Sequence, residues 1–190
     1  MTRSKITALA ALAVVTLAAP AAAQHEGQHE GQQHEHAAAL AIRDEMLGQF
    51  GNSSFKMDAL SQAMPADLYD WAPQEGLMTV GVVYAHIARY NFMYLEENLG
   101  IPAPEGVDWQ NLESLTDKDQ IVAALKTSID HVNAKVAALS EHDLNMTTPL
   151  YGREVSGWAV LVQLVAHMNE HVGQAVAYAR MNDVTPPWSR

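Results

Sequence analysis

The chain has 190 residues, no cysteine and a formal charge of −11, with 22 acidic side chains against 11 basic ones. The lack of cysteine excludes disulfides, a thiolate nucleophile, thiolate-ligated metal and a lipid anchor on an N-terminal cysteine. So acidic a surface repels phosphate, which argues against both nucleic acid and anionic membrane as partners.

In chain order, the first segment reads as a leader. Arg3 and Lys5 form a basic start, Ile6 to Ala19 carries no charge, and Ala21-Ala22-Ala23 supplies an A-x-A cleavage pattern. This predicts a secretory signal peptide over residues 1–23, its apolar run too short for a comfortable membrane span. Cleavage would remove two of the eleven basic residues and no acidic ones, shifting the formal charge from −11 to −13. The expected location is periplasmic or secreted, with no membrane association after cleavage. Residues 24–36, QHEGQHEGQQHEH, form an imperfect repeat with His25, His29, His34 and His36 and no apolar residue. Such a segment has nothing to pack and is predicted to be a flexible tail. Clustered neutral imidazoles would also capture transition metals there.

Residues 37–190 are long enough for one domain with one core. Four helical stretches are predicted. The first runs from about Ala37 to Met64, with Leu40, Leu47, Phe50, Met57, Leu60 and Met64 facing inward and Pro65 ending it. The Tyr69-Asp70-Trp71-Ala72-Pro73 stretch is a loop that can still bury aromatic area. The second helix starts after Thr79, a suitable N-cap, and ends at Asn98 before Gly100 and Pro102. The third opens at Thr116, with Asp119 three residues on as a capping-box variant. Its seam is Val122, Leu125, Ile129, Val132, Val136 and Leu139. The fourth begins after Ser156 and reaches about Asn182, with Pro186-Pro187 forbidding continuation. Leu150 to Ser156 is predicted as a short extended turn rather than a sheet. The expected architecture is an all-α four-helix bundle whose linkers at 100–116 and 140–156 are long enough for crossover connections.

Three histidines carry the chemistry. His167 and His171 stand i, i+4 on the apolar stripe Val160, Leu164, His167, His171, Gln174, Tyr178. His86 lies on the stripe Val83, His86, Tyr90, Met93, Glu97 of the second helix. Imidazoles on apolar stripes are costly to bury unpaired, whereas three that converge make a metal centre with open coordination positions. Both stripes turn from apolar to polar, as a site near one mouth of a bundle requires. The string H-M-N-E-H at 167–171 also matches the inverted zinc-peptidase motif, but Asp183 is the sole acid downstream, beyond the helix end, so that reading fails. Glu170 is a candidate base or ligand-orienting group, and Gln174 a candidate hydrogen-bond partner of a ligand. His131 falls off its helix seam and His142 lies in a polar loop, so both are expected at the surface. Tyr90 and Tyr178 are expected to pack.

The segments T-V-G-V-V-Y-A-H-I-A-R-Y, H-M-N-E-H-V-G-Q-A-V-A-Y-A-R-M-N-D-V-T-P-P and D-L-Y-D-W-A-P resemble the DinB/YfiT-like family of four-helix-bundle metalloproteins over residues 38–188. The resemblance implies crossed-over helix order and a divalent ion, commonly zinc or nickel, on His86, His167 and His171. It also implies frequent dimers, and thiol-dependent transferases and isomerases among the relatives. Export would separate this chain from cytosolic thiol cofactors. The expected function is a metal-dependent hydrolase or thiol-dependent transferase acting on a small molecule, with a non-catalytic metal-buffering protein as the alternative.

Overall fold

The computed structural model describes residues 21–189, with side chains from residue 38 onward. All but the last three positions of the expected leader lie outside the described residues, as do the side chains of the histidine-rich run. The chain divides into a unit ending at Glu35, whose described part is helical backbone, and a unit from His36 to Arg190 that holds the bundle.

Helix α1 (Ala21–Ala63) ends where Met64 meets Pro65, and a short 3-10 turn (Ala66–Leu68) leads into the aromatic loop. Helix α2 (Val80–Met93) starts as expected at Thr79, whose hydroxyl accepts from Val82 N. It continues through a π-helical turn (Tyr94–Asn98) to the expected end. A 3-10 turn (Trp109–Ser114) interrupts the next linker. Helix α3 (Lys118–Ala137) is capped by Asp117, one residue later than expected, because the Asp117 carboxylate accepts from Gln120 N. A short α4 (Glu141–Asn145), strands β1 (Thr147–Leu150) and β2 (Arg153–Ser156), and helix α5 (Gly157–Met181) complete the unit.

Side-chain pairs fix the helix directions. Gly81 meets Ile121, and Asn91 bonds Ser128 at 3.0 Å, so α2 and α3 run parallel. His86 meets His171 while Tyr94 meets Gln163, so α2 and α5 are antiparallel. Arg43 bonds the Leu139 carbonyl and Lys118 the Met64 carbonyl, which sets α1 antiparallel to α3. The order is up-down-down-up. Linker 99–117 must therefore return along the bundle, whereas the second linker joins antiparallel helices at one end. The first linker travels along α2: Glu96 binds Ala103 N and Trp109 Nε1, and Glu113 reaches back to His86 and Arg89. Leu60, Met64, Tyr84, Leu95, Leu125 and Leu144 form the driest part of the core. Each such side chain is worth roughly 1.5–3 kcal/mol in burial.

Three expectations are corrected. Residues 147–156 form a two-stranded antiparallel hairpin, Thr147 opposite Ser156 and Leu150 opposite Arg153, rather than a lone extended turn. Tyr151 and Gly152 both take positive φ, 50° and 76°, which is the turn a two-residue hairpin requires, but Tyr-Gly gives a weaker signal than Asn-Gly. On α3, Ile121 rather than Val122 is fully buried, because Ile121 lies one turn before Leu125 on the side that meets Gly81 of α2, while Val122 is only partly covered. His131 is buried against Phe92, at a ring separation of 5.5 Å, instead of lying at the surface. The parallel packing of α2 and the returning linker widens the covered face of α3 beyond its apolar seam.

Candidate metal centre

The site is built on two helices. Thr79 fixes where α2 begins, and from there Val83, His86 and Tyr90 succeed each other on the face turned to α5. On α5, His167 and His171 come after Val160 and Leu164 down the buried stripe. Because α2 and α5 are antiparallel, the three rings meet halfway along both. Ring centroids lie 5.2 Å apart for His86–His167, 4.9 Å for His86–His171 and 4.6 Å for His167–His171. One ligand nitrogen from each residue falls within 4.8 Å of the others.

The hydrogen bonds decide which nitrogens are available. His86 Nδ1 donates to Glu113 Oε1 at 2.9 Å, so its Nε2 presents a lone pair. That Nε2 stands 3.2 Å from His167 Nε2. Two ring nitrogens at that separation need a proton or a cation between them. Nitrogens bound at 2.0–2.1 Å to one tetrahedral ion sit about 3.3–3.4 Å apart, so the observed spacing fits shared ligation. His171 Nδ1 donates to Gln174 Oε1 at 2.7 Å, and the Gln174 amide in turn donates to Tyr178 Oη at 3.0 Å, which frees His171 Nε2 in the same way. Two of the three imidazoles thus have their tautomer set by a neighbour, the arrangement that orients metal-bound histidines.

Burial governs the charge of the site. His167 is pushed down to about 3, first by desolvation and then by the facing His171 and His86. His86 is also lowered by burial, against the upward pull of the Glu113 bond. Both are therefore neutral ligands at neutral pH. The Tyr90 ring packs on His86 and His167 at 4.4 and 4.7 Å, with the Arg89 guanidinium over it at 5.2 Å. Trp71, from the loop before α2, meets Tyr178 edge-on at 5.5 Å. The donor set is three imidazole nitrogens, which suits zinc, nickel, copper or iron(II).

Of the residues expected from sequence, His86, His167 and His171 come together, and Gln174 bonds a ligand candidate. Tyr90 and Tyr178 pack as expected, and His142 is exposed. Glu170 is exposed, and its carboxylate makes no hydrogen bond or ion pair among the described residues. Sequence reasoning missed Glu113 and Arg89. A carboxylate between Leu112 and Ser114 in an otherwise turn-forming linker was the only trace of it.

The fold and the site together define a crossed-over helical bundle that can hold a cation on three histidines. The family model of the DinB superfamily matches residues 55–175, and the chain belongs to that family. Among solved structures, it is similar to a DinB-like protein from Bacillus cereus ATCC 10987, with a TM-score of 0.64 and 17% identity over 76% of this chain and 95% of that one. A DinB-like protein from Bacillus subtilis gives a TM-score of 0.50 and 21% identity over 74% and 93%. At those identities the likeness concerns the fold. Among curated proteins nothing is similar in sequence to this chain.

Proposed function

We propose that this protein is an exported, metal-dependent enzyme that activates a water or thiol against a small electrophilic substrate, in the manner of a hydrolase or a thiol-dependent transferase. The observation that carries the reading is the convergence of three ligand nitrogens within 4.8 Å, two of them held in the ligating tautomer by Glu113 and Gln174. When bound there, a divalent ion such as zinc or nickel supplies Lewis acidity and lowers the pKa of a bound water or thiol. The protein's own groups do the rest. Glu113 and Gln174 orient the imidazoles, Tyr90 covers two of them from one side, and the neutral ligand set leaves the ion's charge available to an anionic nucleophile. Glu170, the base candidate from sequence, sits exposed beside His171, while the orienting role falls to Glu113. Homodimerisation and a periplasmic or secreted location belong to the same proposal.

The test is the metal content of the chain with His25, His29, His34 and His36 replaced by alanine, with and without His171→Ala. One divalent ion per chain, lost with His171→Ala, supports the site. Equal metal in both refutes it. Turnover of thiol-conjugation and ester or amide probes then separates an enzyme from a metal buffer, the reading favoured by the four-histidine segment at 24–36. Weak metal binding that vanishes with those four histidines would decide for buffering.

A further inference from the structure

The Trp109–Ser114 turn has two working faces. Glu113 bonds His86, while its neighbours Leu112 and Ser114 line a separate cavity of about 380 Å³ between the returning linker, α2 and α3. That volume lies in the range of small-molecule sites. The walls are apolar: Phe92, Val107, Leu112, Leu115 and Ala124. None of the three clustered histidines contributes to them.

Asp108 and Asn111 stand on the lining, and Asp108 is the one lining residue that carries charge. Asn111 Nδ2 donates to one Asp108 carboxylate oxygen at 2.8 Å, leaving the carboxylate to accept again. A carboxylate at an apolar opening selects for positive charge.

We propose that this cavity is a binding site for a small organic ammonium compound, an arylalkyl amine in class, whose apolar body occupies the Phe92–Leu112–Ala124 walls. The ammonium donates to the Asp108 carboxylate. The site is distinct from the metal centre and does not depend on a bound ion.

The test is calorimetric titration of the full chain with 2-phenylethylammonium, with ethylbenzene as the control that keeps the ring and lacks the donor. The expected result is saturable one-to-one binding of the amine and much weaker binding of ethylbenzene. Asp108→Asn should weaken the amine at least about tenfold, as loss of a charge-assisted bond requires, and leave ethylbenzene unchanged. Ala124→Phe fills the cavity and should abolish both. If that variant does not fold, Thr127→Phe on the more exposed wall replaces it. His171→Ala must leave amine binding intact, because loss there would place the amine on the metal centre and overturn the proposal. No saturable binding, binding indifferent to the filling variant, or ethylbenzene binding as well as the amine would each overturn it too.

Discussion

Glu113 offers the sharpest perturbation of the metal centre because it touches His86 without being a ligand candidate itself. Its Oε1 accepts from His86 Nδ1 at 2.9 Å and also faces Arg89 Nη1 at 3.4 Å. Glu113→Gln keeps an oxygen acceptor, so the tautomer of His86 survives and only the negative charge is lost. Glu113→Ala removes the acceptor as well and frees the ring to rotate or to protonate the wrong nitrogen. Loss of such an orienting partner costs about 10–100-fold in metal affinity, or roughly 1.4–2.8 kcal/mol. The Glu113 side chain is 35% exposed and half-compensated by Arg89, so its charge acts through a partly aqueous path. That places Glu113→Gln near the lower bound, about tenfold, and Glu113→Ala closer to the upper one. Competition with a chromophoric chelator, using zinc on the chain without its four N-terminal histidines, measures both. Wild-type zinc affinity in Glu113→Ala would refute the assignment of His86 as an oriented ligand.

Other expectations test the frame around the site. Gly157 opens α5 against α4, where an added Cβ would collide with the Asp143 carbonyl and stand 3.3 Å from Leu144, so Gly157→Ala should destabilise by about 1–3 kcal/mol in urea unfolding. Leu125 is fully buried, and Leu125→Ala should cost about 2–5 kcal/mol in the same assay. In the metal-free protein, His167 resists protonation down to about pH 3 in the fold but takes a proton at its ordinary 6.5 when unfolded. The unfolded chain therefore binds the proton first as pH falls, and stability should be intact above 6.5 and decline towards pH 3. Melting curves between pH 7 and pH 4 should show a steeper decline for wild type than for His167→Leu, and parallel declines would contradict the burial argument.

What the sequence reveals and what it hides divide along one physical line. Features set within a few turns of one helix are legible. The cap at Thr79, the start of α5 after Ser156, the stop at Asn182 and the stripes that aim His86, His167 and His171 inward all derive from the spacing and type of residues close in the chain. Gln174 is legible too, since i, i+3 on the same helix brings it to His171. Features that depend on what packs against a helix are not. Ile121 and Val122 both lie within a turn of Leu125, and it is the approach of Gly81 on α2 that draws Ile121 into the core. His131 reads as a surface residue because the seam of α3 does not include it. Its burial comes from Phe92 and the returning linker, neither of which is encoded in α3 itself.

Glu113 shows most plainly why topology belongs to the chemistry. It lies 27 residues from His86 in sequence, in a stretch with no helical periodicity of its own. In an up-down-up-down bundle, α3 would start beside the end of α2, and the linker would stay at that end, far from a histidine in the middle of the helix. Here α2 and α3 are parallel, so the linker must run back past the whole of α2 before α3 can begin. Glu96 anchors its first part through Ala103 N and Trp109 Nε1, and the 3-10 turn beyond it brings Glu113 level with His86. The crossover is thus what supplies the carboxylate, and shortening the linker would detach Glu113 from His86 while leaving all three histidines on their helices.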